Sequence, residues 1–214
     1  MDGLPQILEF LKRVNSMKYE IRYADVAPGK DDKRDVVAAH SWRQTLMVYL
    51  IGQYFIKTEQ IKLDLDRAVK LAIIHDLPQA VVGNTSFGGK YKDRENIERK
   101  VSAGEAEGLK KLLVGLPDDF ASEIYDLWVE YDNAETPEAR FVKIMDKVEA
   151  ALQLMEIMDS EPEGFNFEPA VRHSDKGLGW FPATDKLIAL VREELKKYSE
   201  KYGYEWKPDY EIKV

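Results

Sequence analysis

Apolar residues recur at helical spacing along most of this chain, and clusters of polar, glycine and proline residues interrupt them. Leu4, Ile7, Leu8 and Leu11 lie three and four residues apart, a single stripe that predicts a first helix. The following stretch, "YEIRYADVAPGKDDKRD", loses that period around Pro28 and Gly29 and reads as a loop. Across 35–55 a long apolar face returns through Val36, Val37, Leu46, Met47, Leu50, Ile51 and Tyr54, with His40 on an early turn. A second long apolar segment spans 64–82, with Asp64 as its N-cap and Gly83 as its stop. Beyond the glycine-rich "GNTSFGGKYKD", a charged helix covers 94–114 and ends at Gly115 and Pro117. Two more helices follow at 118–134 and 137–158, where Pro137 suits a first turn. "SEPEGFNFEPAVRHSDKGLGWFP" is irregular, and 183–202 forms the last helix. Strand signals are too weak to count, and there is neither an internal repeat nor a low-complexity linker. The expected fold is all-α, in a single domain.

Bulk properties narrow the possible functions. At 214 residues, with 44% hydrophobic and 33% charged positions, the chain can bury one sizeable core. Its formal net charge of -8 argues against long nucleic acid as a partner, because such binding depends on neutralising many phosphates. With no cysteine, disulfides and thiolate sites are unavailable, so any metal must sit on histidine, carboxylate and water. "MDGLPQILEFLKRV" reads as neither a signal peptide nor a membrane span, and no run reaches the roughly 18 apolar residues a span requires. The expectation is a cytoplasmic protein without a membrane partner.

The chain has three histidines, and two of them, His40 and His75, fall in its most apolar segments. A single histidine there is usually a satisfied core residue. Asp76 directly after His75 is harder to explain that way, because a carboxylate among apolar side chains is costly unless paired or metal-bound. Asp146 repeats the problem in "RFVKIMDKVEAALQL", where Arg140, Lys143 or Lys147 offers a simple ion pair instead. Together His40, His75, Asp76 and Asp146 supply two imidazoles and two carboxylates from three predicted helices, a ligand set suited to a divalent transition metal. Such a site leaves room for water whose pKa the metal depresses, which points to metal-assisted phosphoester hydrolysis.

The order "AAHSWR", "AIIHDLPQAVVGN", "FVKIMDKVEAALQLME" resembles the HD-domain phosphohydrolases, in the branch of the bacterial 5'-deoxynucleotidases and the eukaryotic HD-domain-containing protein 2. The resemblance covers about residues 5 to 160 and is strong in "IYDLWVEYDNAETPEARFVKIMDKVEA". It implies a helical HD-domain bundle over 1–160, with 161–214 adding an irregular segment and a C-terminal helix packed on the same domain. It also implies His40, His75, Asp76 and Asp146 as ligands of one Mn²⁺, Co²⁺ or similar ion. The substrate would be a small phosphoester, a 5'-(deoxy)nucleoside monophosphate, attacked by a metal-bound water, and the assembly a homodimer. Arg22, followed by Tyr23 in "EIRYAD", is similar to the family's arginine-tryptophan pair that contacts the substrate phosphate. The other reading of Arg22 is a surface ion pair with Glu20 or Asp25.

The chain departs from the family where acids are expected. Gln79 and Asn84 occupy the positions of the glutamate that activates water and the aspartate that approaches the phosphate or sugar, and Ala39 replaces the acid before the first histidine. A neutral amide holds water but cannot take its proton, which leaves most of the activation to the metal and the proton open to Asp146 or Asp76, at some cost to metal binding. The alternative function is a catalytically weakened HD-fold protein that binds metal or nucleotide in a regulatory role. Either Trp42 and Arg43, just after His40, line the pocket or, as is commoner for a tryptophan beside an apolar face, Trp42 belongs to the core. Lys90, Lys92 and Arg94 either attract an anion or begin a solvated helix. "GEAEG" at 104–108 reads as a solvated helix face, and His173 as a surface or loop residue outside the ligand pattern.

Overall fold

The computed structural model describes residues 3–23, 35–84, 94–160 and 167–212. Among them the chain forms α1 (Leu4–Val14), α2 (Val37–Lys57), α3 (Leu65–Ile74), the single turn α4 (Gln79–Val82), α5 (Arg94–Leu113), α6 (Asp118–Asn133), α7 (Pro137–Ser160), the short α8 (Phe167–Arg172) and α9 (Pro182–Tyr202). The only extended pairing among the described residues is an isolated antiparallel bridge between Ile21 and Val36. The all-α expectation therefore holds. No helix of the described residues is long and apolar enough to cross a membrane.

α7 is the axis of the molecule. It packs against α2, α3, α6, α8 and α9. Phe141, Val142, Ile144, Met145, Val148, Ala150, Ala151 and Leu154 bury almost every side of its middle. A helix surrounded in this way needs apolar residues all round, and each large one contributes about 1.5–3 kcal/mol on leaving water. α2 and α3 approach α7 so closely that a Cβ on Gly52 would come within 2.8 Å of Leu65 Cδ1 and 3.3 Å of Phe141. α3 starts where the sequence places it, with the Asp64 side chain accepting from the Arg67 amide at 3.0 Å.

The predicted segment 64–82 is not one helix. Pro78 has no amide hydrogen to give to the Ile74 carbonyl, and its ring would clash there, so α3 ends at Ile74. A tight turn follows, in which the Leu77 amide bonds the Ile74 carbonyl and the Gln79 amide bonds the Asp76 carbonyl. His75 and Asp76 sit on that corner. The segment read as irregular after residue 160 also carries more order than expected, in α8 and a 3₁₀ turn at Asp175–Gly177.

Two apolar clusters fill the interior. The larger surrounds α7 with Val48, Leu71, Phe141, Tyr131 and Leu195, and the smaller joins α1, α5 and α6 through Phe10, Leu109, Leu112 and Trp128. Three connections run from one to the other. α2 passes from Val37 to Val48, α6 from Trp128 to Tyr131, and the α3 corner from Ala72 to Leu77. The polar residues of interest lie on this seam. On α1, Phe10, Ile7 and Val14 meet the smaller cluster, while Leu4, Leu8 and Leu11 of the predicted stripe stay exposed. Trp42, 69% exposed, is not a core residue.

Candidate metal centre

His40 stands one turn into α2 and His75 caps the C-terminus of α3, so two neighbouring helices bring their rings together at 5.5 Å between centroids. Each imidazole is oriented by its Nδ1. That of His75 donates to the Ala72 carbonyl at 2.8 Å, and that of His40 donates to Glu149 Oε2. Both Nε2 atoms therefore face the same space, are buried, and have no hydrogen-bond partner. Asp76 Oδ2 lies 3.3 Å from His75 Nε2 and 3.6 Å from His40 Nε2. One donor atom from each of His40, His75 and Asp76 falls within 4.8 Å of the others.

Asp146 enters from α7. Its Oδ1 is 3.2 Å from His40 Nε2, within ion-pair range but off the direction of a hydrogen bond. Its Oδ2 accepts from Lys147 Nζ at 2.6 Å and from the Tyr131 hydroxyl at 3.3 Å. Lys147 is thus the ion-pair partner that the sequence left open, and it takes only one carboxylate oxygen.

Leaving two buried imidazole nitrogens without partners is costly unless something fills the space between them. The nitrogen and oxygen donors fit a first-row divalent ion. Electrostatics agrees. Burial and the charge of Arg22 push the His40 imidazole down, but the carboxylates of Asp146 and Glu149 outweigh them and hold it up to about 9. Burial alone would raise Asp76, but His75 and His40 hold it below the usual carboxylate range. Asp146 is likewise held well down against burial, by Lys147 and the two histidines. Such a cluster attracts positive charge.

Arg22 is not on the surface. Its NH1 donates to Asp35 Oδ2 at 3.0 Å and Glu149 Oε2 at 3.2 Å, and its NH2 donates to the Tyr23 hydroxyl at 3.0 Å. Burial works against its charge, but Tyr23, Glu149, Asp76 and Asp35 together more than restore it. The Ile21–Val36 bridge and the Arg22 amide bond to the Asp35 carbonyl fix this arm beside the start of α2. Tyr23 adopts φ 58°, a left-handed conformation uncommon for a bulky residue. Glu20, one of the two candidate partners of Arg22, instead accepts from the Asn84 amide at 2.7 Å. Asp25 lies outside the described residues.

The two amides form a relay onto the cluster. Asn84 Nδ2 donates to Gln79 Oε1 at 2.9 Å, and Gln79 Nε2 donates to Asp76 Oδ1 at 2.7 Å. Gln79 reaches Asp76 as a donor, which a carboxylate could not do. α5 places Glu105 near Asp76 and Asp132. Burial, then these two charges, push its carboxyl up to about 7 against Lys143 and Lys147. "GEAEG" is therefore not a fully solvated face, since Glu105 is only partly exposed and Gly108 is buried.

One site residue, Glu149, escaped the sequence reading. Glu149, fully buried, touches both His40 and Arg22. Arg43 does line the site, donating to Glu149 Oε1 at 2.8 Å and to Gln153 at 2.7 Å. The available signal was a polar stripe down α7, Asp146, Glu149, Gln153 and Glu156, at helical spacing inside an otherwise apolar run. Lys90, Lys92 and the Arg94 side chain lie outside the described residues. His173 lies just after α8, half-buried, and is not one of the His40, His75 and Asp76 group.

Residues 14–178 match the HD domain family. Over 192 residues the chain is 31% identical to the 5'-deoxynucleotidase HDDC2 of Xenopus laevis, covering 88% of this chain and 87% of that protein. Over 159 residues it is 31% identical to the human 5'-deoxynucleotidase HDDC2, covering 74% and 72% of the two chains. Among solved structures, a predicted metal-dependent phosphohydrolase from Magnetospirillum magnetotacticum superposes with a TM-score of 0.69 at 24% identity, over 95% of this chain and 98% of that one. At that identity the superposition bears on the fold alone.

Proposed function

Because the chain belongs to the HD-domain family, we propose that it is a divalent-metal-dependent phosphohydrolase that releases phosphate from 5'-(deoxy)nucleoside monophosphates. The observation that carries the reading is the pair of buried, unpartnered Nε2 atoms facing Asp76, with a buried arginine nearby. His40, His75, Asp76 and Asp146 would hold one Mn²⁺, Co²⁺ or similar ion. Such an ion, when bound, supplies Lewis acidity that depresses the pKa of water and offsets charge on a phosphoryl oxygen.

The remaining work falls to the chain itself. Arg22, with its planar fork, receives the phosphate, and Tyr23 orients that fork. Gln79 and Asn84 hold solvent or sugar hydroxyls by hydrogen bonds and accept no proton. Asp76 and Asp146 are held down as poor bases. Glu105 is the carboxyl beside them poised near neutrality, and it is the group best suited to keep a displaced proton.

A homodimer is proposed with this activity. Its support is the exposed, uncharged face of α2 formed by Leu46, Tyr49, Leu50 and Tyr54. The HD domain is taken as 1–160, with 161–214 docked on it. The docking contacts are α8 and α9 against α7 and the Tyr198 hydroxyl donating to Asp159 Oδ2 at 2.9 Å. A cytoplasmic location is proposed with this activity.

A specific observation favours a second reading. The Gln79 amide already occupies one oxygen of Asp76, so the chain is a metal- or nucleotide-binding protein if turnover is negligible. Phosphate release from a panel of 5'-mononucleotides with added Mn²⁺ or Co²⁺, run beside Asp76→Ala, separates the two. Release that disappears in the variant is expected. Metal binding without release from any substrate of the panel would favour the binding role.

A further inference from the structure

One carboxylate stands behind both halves of the site, and we propose that Glu149 is the positioning residue shared by the metal ligand His40 and the phosphate-facing Arg22. The identities of the two ligands rest on the phosphohydrolase reading; the sharing rests on geometry.

Glu149 Oε2 accepts from His40 Nδ1 and from Arg22 NH1 at 3.2 Å, so a single oxygen sets the direction of both side chains. The other oxygen is pinned from behind. Arg43 donates to Oε1 from Nε at 2.8 Å and lies within 2.7 Å of it through NH2. Arg43 is itself held by Gln153 at 2.7 Å and Glu156 at 2.6 Å. Rotating the carboxylate would break the Arg43 contacts together with those of Oε2. Glu149 is fully buried, so no bulk water competes for either oxygen.

Two consequences follow for binding. With Nδ1–H committed to a carboxylate, the His40 ring presents a bare, more basic Nε2 to a cation. With NH1 steadied between Glu149 and Asp35, Arg22 meets an anion already desolvated and aligned, and little side-chain entropy is left to lose. Losing Glu149 therefore weakens two ligands of opposite charge. Loss of a residue that served one side alone would weaken only one.

The test uses the whole chain, metal-free at the start, with wild type beside Glu149→Gln. Titration calorimetry reads Mn²⁺ affinity, and a separate titration reads inorganic phosphate on the metal-free protein. We expect Glu149→Gln to weaken Mn²⁺ binding by about 10- to 100-fold and to weaken phosphate as well, with a far-ultraviolet spectrum like that of the wild type. Arg22→Lys should weaken phosphate and leave Mn²⁺ unchanged. Unaltered Mn²⁺ affinity in a folded Glu149→Gln protein would overturn the proposal. If that variant does not fold, Glu149→Asp keeps the charge and withdraws it, and it should lose Mn²⁺ affinity in the same direction. Ring-proton NMR of the metal-free wild type, tractable with three histidines, should give a protected, downfield His40 Nδ1–H signal. Its absence would also overturn the proposal. A wild type that shows this signal but binds no Mn²⁺ would overturn the phosphohydrolase reading while leaving Glu149's hold on His40 in place.

Discussion

Arg22 and Arg192 are both almost completely buried, with 8% and 3% of their side chains exposed, yet they serve different ends. Arg192 on α9 donates to the Tyr210 carbonyl and pairs with Asp175, groups that lead back only into the C-terminal packing. Arg22 pairs with Asp35 and Glu149, and Glu149 continues to His40. The difference teaches that burial of a charge does not by itself mark function. What matters is where the chain of partners ends, in packed backbone or in a side chain with an unspent lone pair.

The comparison can be broken most sharply by removing each arginine in turn. Arg22→Ala should lower kcat/KM by about 100-fold or more, the scale of losing one charged contact to a transition state. Arg192→Ala should leave kcat/KM nearly unchanged at temperatures where the protein is folded. Equal losses in steady-state kinetics on a 5'-mononucleotide would erase the distinction. Next in size, the double change Gln79→Glu with Asn84→Asp should raise turnover by about 10-fold, since it returns a proton acceptor to Asp76's neighbour. No gain in phosphate release would remove the role assigned to those two positions.

Arg192→Ala should instead show itself in melting. Losing charge-assisted hydrogen bonds at a buried site costs about 2 kcal/mol, or about 4–8 °C for a chain of this length. Calorimetry would detect it, and an unchanged melting temperature would deny the C-terminal anchor. The smallest effect concerns Glu105, whose carboxyl is raised from its usual 4.5 to about 7. The folded, metal-free protein binds its proton more tightly than the unfolded chain does, so this contribution is full below pH 4.5 and fades as pH rises through 7. Urea unfolding at pH 5 and pH 8 should therefore lose part of its difference in Glu105→Gln. A difference that persists undiminished would place the titrating group elsewhere.

Much of this was legible in the chain and some was not, for physical reasons. The donor set His40, His75, Asp76 and Asp146 could be picked out because charge inside an apolar run is expensive and therefore conspicuous. Helices α5, α6 and α7 followed from strong periodicity and from stops at glycine and proline. The corner at Pro78 was hidden because apolar spacing continues across it, although the proline itself was visible. α1 shows the limit of periodicity, which fixes a stripe but not whether anything covers it: Leu4, Leu8 and Leu11 face solvent. Glu149 was overlooked because its partners, Arg22 and His40, are 127 and 109 residues away. Its one local signal, a place in the polar stripe of α7, reads equally well as an ordinary solvent-facing row.

The seam between the two apolar clusters has a mechanical consequence. His40 lies between Val37 of the smaller cluster and Val48 of the larger, and the His75–Asp76 corner joins Ala72 of the larger to Leu77 of the smaller. An ion gripped there would act as a rivet between two clusters that otherwise share Ile74 and the polar groups of the seam. Metal at one hundred times its dissociation constant would add about 2.7 kcal/mol to the folded state. Heat resistance of the whole molecule then becomes a gauge of whether an ion sits among His40, His75 and Asp76, readable without any substrate.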